Sequence, residues 1–342
     1  MTCLPEVSEM SEGNLPTIDP IQGDFWVLTG PTASGKTEVG LSLAELLGAE
    51  ILSMDSMAVY RGMDIGTAKP TRQQQAQIPH HLIDLIEPHE EFSLAQYLTA
   101  AHRCVAEVRS RGRTPLFVGG TPLYLKALLR GIFQGPPADP QFRRRMYEEA
   151  QRFGHEHLHR RLAQVDPVAA RRLHPHDLRR IIRALEVYEK TGVPISTWQQ
   201  QFDRARPADQ CRVFVLHWPT EQLDQRIHRR VEAMFAAGFV EEVRRLKAGP
   251  KGLGKTAQQA VGYQEVLEYL DGVRDLADTI ALVQQRTRQF AKRQRTWFRS
   301  LSECRFVPMQ EPVLPAAVAR RIAAEGAILT GRPGQASPAG GP

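Results

Sequence analysis

Residues Gly30-Pro31-Thr32-Ala33-Ser34-Gly35-Lys36-Thr37 match the pattern G-x-x-x-x-G-K-[ST] and directly follow the apolar run Phe25-Trp26-Val27-Leu28-Thr29. No other segment narrows the fold so far. A strand ending in such a loop must pass straight into a helix, because there several backbone N–H groups converge on the oxygens of one phosphate chain. The pattern therefore predicts a βα unit whose strand opens on a ligand site at its carboxyl end, and with it an α/β architecture. A di- or triphosphate is the expected ligand. What that phosphate is attached to the loop does not say.

Further short apolar runs alternate with helical patterns. After residues 25–29 comes a helix through Leu41, Leu43 and Leu47, then the runs 50–54 and 81–86. A helix follows Ser93, then come the runs 115–118 and, much later, 213–218. This alternation predicts a P-loop NTPase-like parallel sheet flanked by helices. From about residue 135 to 200 only helix-like segments and turn signals occur, among them Asp139-Pro140 and Asp166-Pro167, so a helical insertion domain is expected at 135–200. The catalytic core is then 21–134 plus 201–326. Beyond Trp218 the chain reads as successive helices. Residues 1–20 carry few large apolar side chains and are expected to be a disordered tail, and the Gly/Pro/Ser/Ala-rich stretch makes 327–342 a flexible one.

An apolar content of 42% over 342 residues suffices for a sizeable core. The net charge of +6 fits an anionic partner without naming one. Cys3, Cys104, Cys211 and Cys304 lie far apart, which argues against a thiolate zinc site or a disulfide framework and fits a reducing cytoplasm. No run approaches the ~18 consecutive apolar residues of a membrane helix, and the N-terminus lacks the layout of a signal peptide. A soluble, cytoplasmic monomer that does not engage a membrane is expected.

Within the loop, Gly35 allows close backbone approach, Lys36 neutralises phosphate charge, and Thr37 either holds magnesium or touches phosphate. Asp55 closes the second apolar run and puts a carboxylate near the loop, where it could hold metal, accept a proton or merely cap a turn. An ordinary ATPase would carry a metal-holding Asp at the end of a further strand, but residues 115–118 end in Gly119-Gly120-Thr121. Thr121 and Pro122 also make a good helix start. His155-Glu156-His157-Leu158-His159 satisfies H-E-x-x-H, yet its polar, arginine-rich setting and the lack of a third ligand weigh against a zinc hydrolase.

Taken together, the phosphate loop, Asp55-Ser56, Tyr60-Arg61-Gly62-Met63-Asp64-Ile65-Gly66-Thr67-Ala68-Lys69-Pro70 and Gly119-Gly120-Thr121-Pro122-Leu123-Tyr124 resemble the tRNA dimethylallyltransferases. The similarity continues through His174-Pro175-His176-Asp177, Arg179-Arg180-Ile181-Ile182-Arg183-Ala184-Leu185-Glu186-Val187, Ala260-Val261-Gly262-Tyr263 and Lys292-Arg293-Gln294-Arg295-Thr296-Trp297-Phe298-Arg299. It spans about residues 25–300 in order. Many relatives have Gln where Ala58 stands, Asn where His176 stands and a basic residue where Gln264 stands. The resemblance implies transfer of a dimethylallyl group from dimethylallyl diphosphate to N6 of adenosine 37, beside the anticodon, in tRNAs reading codons that begin with U. Diphosphate is released, Mg2+ is the cofactor with Thr37 as its ligand, and the anticodon stem-loop is the macromolecular partner.

The same resemblance implies Asp55, Thr37 and Arg230 as catalytic residues, and Gly30, Pro31, Thr32, Ala33, Ser34, Gly35, Lys36 and Thr37 as the diphosphate cradle. Arg226 shares a helix face with Arg230 but is not implied. Implied tRNA contacts in the sheet domain begin with Asp55, Ser56, Met57, Ala58 and Thr121. In the insertion they are Arg143, Arg179, Arg180 and Arg183, and further on Gln259, Gly262, Tyr263 and Gln264. The last group is Lys292, Arg293, Arg295, Trp297 and Arg299. Independently, Arg288, Lys292, Arg295 and Arg299 share one helical stripe beside Trp297 and Phe298, a basic and aromatic surface suited to unstacked RNA bases. The adenine is expected to flip into a channel between sheet and insertion. A small-molecule P-loop kinase that binds ATP, an adenylate prenyltransferase and a non-catalytic RNA-binding module are the alternatives.

Overall fold

The structure is a computed structural model that describes residues 17–200 and 205–329. The described residues contain eight strands: β1 (Thr17–Ile18), β2 (Trp26–Thr29), β3 (Ala49–Ser53), β4 (His80–His81), β5 (Thr114–Gly119), β6 (Ile132–Phe133), β7 (Val213–His217) and β8 (Cys304–Pro308). Contacts divide the described residues into a larger unit, 21–129 with 205–329, and a smaller one, 17–20 with 130–200.

In the larger unit six strands stand in the order β4-β3-β5-β2-β7-β8, all parallel. The inner strands read as near-continuous apolar runs because helices cover both faces, and every residue of β2 and β3 is buried. Register matters most for function. Thr29 lies opposite Gly119 of β5 and Val215 of β7, while Ser53 lies opposite Val118, so the carboxyl ends of β2, β3 and β5 finish within a residue of one another and β7 runs two residues further. The helix Lys36–Leu47 leaves the loop and stops at Gly48, which takes a left-handed φ of 58°. It packs tightly on β5: a Cβ at Gly40 would lie 3.2 Å from Val118. The helix Leu94–Ser110 starts at the capping box that Ser93 makes with Gln96.

Two sheet expectations need correction. The run 81–86 supplies only the end of the short edge strand β4, because Leu82 and Asp84 adopt φ of 62° and 53°, incompatible with an extended chain. The stretch beyond Trp218 is not purely helical: β8 adds a largely solvent-facing edge, whose sparse apolar signal hid it.

The smaller unit holds the helices Pro140–Phe153, His155–Val165, Pro167–Arg172, Leu178–Thr191 and Ile195–Trp198. Phe142, Met146, Leu158, Leu162, Ile181 and Leu185 form the heart of its core. Asp139-Pro140 and Asp166-Pro167 start two of these helices. Each Asp accepts backbone N–H bonds of the first turn, and each Pro takes the position where no N–H is needed. Glu186 is fully buried and is held by Arg143, Arg183 and the backbone N–H of Asp139. The expected tail over 1–20 is corrected at its end, where Thr17–Ile18 pairs antiparallel with Ile132–Phe133, and residues 1–16 lie outside the described residues. This pairing also puts the start of the smaller unit at Arg130 rather than at 135. At the other end the helix Pro315–Ile328 runs past residue 326, and 330–342 lie outside the described residues. Among the described residues no helix is long and apolar enough to cross a membrane.

Candidate active site

The loop between β2 and the helix Lys36–Leu47 curls through positive φ at Gly30 (151°), Ala33 (62°) and Gly35 (87°). Such a succession points backbone N–H groups into one concavity. Gly30 must be glycine, since a Cβ there would lie 2.9 Å from Ser34 Oγ and 3.0 Å from the Leu216 carbonyl. The loop's outward carbonyls are tied down. Arg226 Nε donates to Ala33 O at 2.8 Å, and Trp218 Nε1 donates to Ser34 O at 3.0 Å. Arg226 in turn lies 4.4 Å over the Trp218 ring and pairs with Glu311. Arg226, which sequence reasoning set aside, thus braces the loop.

Lys36 Nζ donates to the carbonyls of Gly30 and Pro31 at 3.0 and 2.7 Å. Burial, and after it the charge of Arg230, bring its pKa down to about 7, against the opposing pull of Asp55 and Glu38. Half-buried Arg230 is also pushed down by burial, with Asp55 and Glu38 working the other way and Arg226 adding to the push. A concave loop rimmed by crowded cations calls for an anion. The Ser34 hydroxyl is buried and has no hydrogen-bond partner among the described residues, a further sign that the loop is built around a ligand.

Asp55 follows the end of β3. The backbone crosses to β5 through Met54 N to Val118 O at 2.9 Å and Thr121 N to Met54 O at 3.1 Å. Asp55 Oδ1 accepts from Met57 N at 2.9 Å, and its other oxygen accepts nothing from the described residues. The Thr121 hydroxyl accepts from Ser56 N at 3.0 Å, so it fixes the segment after Asp55 instead of serving only its own helix. The glycine pair at the end of β5 answers two separate demands. A Cβ at Gly119 would fall 2.2 Å from Met54 C, and one at Gly120 would fall 2.8 Å from Gln294 Nε2. Buried Gln294, unnoticed in the sequence, donates to Gly120 O at 2.6 Å and accepts from Thr32 N at 2.9 Å.

Several motif residues prove to be struts. Glu242 is buried and accepts from the backbone N–H groups of Asp64, Ile65 and Gly66 and from the Tyr263 hydroxyl. Lys69, also buried, spans Asp64, Asp84 and the Tyr60 carbonyl. The signature around residues 60–70 therefore records a docked loop. Tyr263, expected to touch tRNA, has no exposed surface and is corrected to a core position, with Gly262 and Ala58 buried as well.

The helix Leu276–Arg299 turns Val283, Thr287, Ala291, Gln294 and Phe298 inward. Phe298 is completely buried, so the expectation of a stacking surface there is wrong, while Trp297 remains half exposed. Lys292, Arg293 and Arg299 are exposed. Arg295 donates to Thr220 Oγ1 at 2.9 Å, and Arg288 contacts His228. Burial first, then the charges of Arg295 and Arg299, lower the pKa of His217 at the end of β7, so these arginines lie at the site's end of the sheet. Gln259 and Gln264 are exposed on the same unit. In the smaller unit Arg179 is exposed and Arg180 pairs with Asp177 at 3.2 Å, whereas Arg143 and Arg183 are engaged by Glu186.

The H-E-x-x-H histidines do not converge. His159 Nε2 meets the Ala170 and Leu173 carbonyls at 3.0 Å, whereas the Nδ1 of His155 lies 2.9 Å from the Nδ1 of His176. Among the described residues no group of three or more His, Cys, Asp or Glu is placed to hold a metal ion.

Comparison with known proteins covers most of the chain. The model of the IPP transferase family matches residues 58–301. A tRNA dimethylallyltransferase of Rhodopirellula baltica is 52% identical over 295 residues, 84% of this chain and 88% of the relative. One from Desulforudis audaxviator is 46% identical over 296 residues, 86% and 95% of the two chains. The crystal structure of the tRNA isopentenylpyrophosphate transferase of Bacillus halodurans superposes with a TM-score of 0.65 at 35% identity, covering 90% of this chain and 98% of that one. A eukaryotic dimethylallyltransferase acting on tRNA gives a TM-score of 0.73 at 27% identity, covering 90% and 80%.

Proposed function

The chain belongs to the IPP transferase family, and on that premise we propose that it moves a dimethylallyl group from dimethylallyl diphosphate to N6 of adenosine 37 in tRNA. The observation that carries the reading is the meeting of a half-free carboxylate with a cationic phosphate loop at the carboxyl ends of the strands. An exocyclic adenine amine is a poor nucleophile because its lone pair is delocalised into the ring, so it must lose a proton as it attacks. The free oxygen of Asp55 takes that proton while the new C–N bond forms. The allylic C–O bond breaks, and its electron pair leaves on the diphosphate. Lys36, Arg230 and the loop N–H groups stabilise the charge that gathers there.

Magnesium fits this donor set. A hard cation that keeps most of its waters needs one protein oxygen beside phosphate oxygens, and Thr37, next to Lys36 in the helix's first turn, offers a hydroxyl. When bound, it supplies further neutralisation of the leaving diphosphate. Exposed Lys292, Arg293 and Arg299 then receive the phosphates of the anticodon stem-loop, which fixes orientation rather than sequence. The lack of a carboxylate at the end of β5 disfavours the kinase alternative.

The test is incubation of the protein with magnesium, unmodified tRNA and either dimethylallyl diphosphate or ATP, followed by mass spectrometry of the RNA. A gain of one five-carbon unit in the anticodon loop, only with the prenyl donor, is expected. Phosphate transfer from ATP without such a gain refutes the reading.

A further inference from the structure

The helix Leu276–Arg299 presents opposite chemistries on its two sides. Lys292, Arg293 and Arg299 face solvent, while the inward side is Val283, Thr287, Ala291, Gln294 and Phe298. Gln294 is the odd member of that inward row. Burying a primary amide is costly unless both its ends are satisfied. Here both are, and neither partner belongs to its own helix: Oε1 accepts from Thr32 N at 2.9 Å and Nε2 donates to Gly120 O at 2.6 Å. Thr32 lies in the mouth of the phosphate loop, and Gly120 lies between Gly119, packed on the backbone just before Asp55, and Thr121, which holds Ser56. A single carboxamide therefore touches both halves of the site. Gly120 also lies close to Lys36, since a Cβ there would come within 3.6 Å of Nζ.

We propose that Gln294 is a positioning residue for the transfer reaction, whose carboxamide sets the mouth of the phosphate loop against the Gly120 strand end and so aligns the leaving diphosphate with Asp55. The proposal rests on the reading of the chain as a prenyl-diphosphate transferase. Its place directly after exposed Arg293 makes it the point where the RNA-facing helix meets the diphosphate grip. An apolar residue of equal length would keep the packing but leave the Thr32 N–H and the Gly120 carbonyl unpartnered, and the loop mouth would drift.

The experiment compares wild type with Gln294→Met and Gln294→Glu. The readouts are affinity for inorganic diphosphate with magnesium by calorimetry, affinity for an unmodified anticodon stem-loop, kcat and KM for dimethylallyl diphosphate, and Tm. Gln294→Met is expected to weaken diphosphate binding roughly tenfold and to lower kcat, as loss of two neutral hydrogen bonds would. Stem-loop affinity stays within about twofold because the exposed cations are untouched. Gln294→Glu does not rescue, since its carboxylate can accept from Thr32 but faces the Gly120 carbonyl with no donor. Should Gln294→Met fail to fold, Gln294→Glu carries the same comparison. Diphosphate affinity and kcat within twofold of wild type overturn the proposal. So does a parallel fall of stem-loop affinity and Tm, which marks a purely structural residue, or full rescue by Glu. Wild-type protein that binds diphosphate but never prenylates tRNA would refute the transferase reading instead and leave the diphosphate comparison intact.

Discussion

Replacing Asp55 by Asn should push two measurable quantities in opposite directions. Asp55 Oδ1 is anchored by the Met57 N–H at 2.9 Å, a bond that the carbonyl oxygen of Asn can keep. The free carboxylate oxygen becomes an amide nitrogen that cannot take the adenine proton. General-base removal of this kind costs about 10²- to 10⁴-fold in kcat, roughly 3 to 5 kcal/mol of barrier. Diphosphate affinity should move the other way. Asp55 opposes the lowering of both the Lys36 and the Arg230 pKa, so its charge sits within the same field that grips the ligand. Deleting that charge removes a repulsion worth on the order of 1 kcal/mol at an effective dielectric of about 20, about fivefold in Kd. Single-turnover kinetics give the first quantity and calorimetry with inorganic diphosphate the second. A kcat within tenfold of wild type refutes Asp55 as the base. Weakened diphosphate binding refutes the electrostatic reasoning.

Glu242→Gln leaves at least one of the three backbone N–H donors at Asp64, Ile65 and Gly66 facing an amide NH2, and is expected to cost about 2 to 4 kcal/mol in a denaturant titration. At Glu186, burial raises the carboxyl pKa but Arg143, Asp139 N and Arg183 outweigh it, leaving the folded value below the ordinary 4.5. Its contribution to stability is therefore present above pH 4.5 and lost as pH falls through the lower folded value, so Glu186→Gln should flatten acid unfolding monitored between pH 5 and pH 3. Stem-loop affinity should fall steeply with salt, and the double variant Lys292→Ala, Arg299→Ala should reduce the slope of log K against log salt by about 1.5 to 2. An unchanged slope would mean that these exposed cations do not meet phosphate.

The sequence made the βα unit legible because glycines at fixed spacing after an apolar strand admit few other structures, and the helix starts at Ser93, Asp139 and Asp166 were legible because their caps are local. Edge strands were not. β4 is cut short by positive φ at Leu82 and Asp84, which residue type does not announce, and β8 carries too little apolar signal. The site shows the same division. Asp55 and Lys36 stand out by type and spacing, but Gln294 reaches Thr32 across 262 positions, and nothing in a basic stretch marks one glutamine as buried. Phe298 is misleading for the converse reason. An aromatic beside arginines looks like a stacking surface until the helix's rotation is known.

The bracing of the phosphate loop from outside has a kinetic corollary. Because Arg226 and Trp218 hold the Ala33 and Ser34 carbonyls, the loop's curvature is supported by the protein's own side chains. A receptor already in its binding shape spends little of the ligand's interaction energy on ordering itself. For the proposed reaction, diphosphate release is therefore expected to proceed without unwinding of the loop. The next donor meets the same cradle its predecessor left.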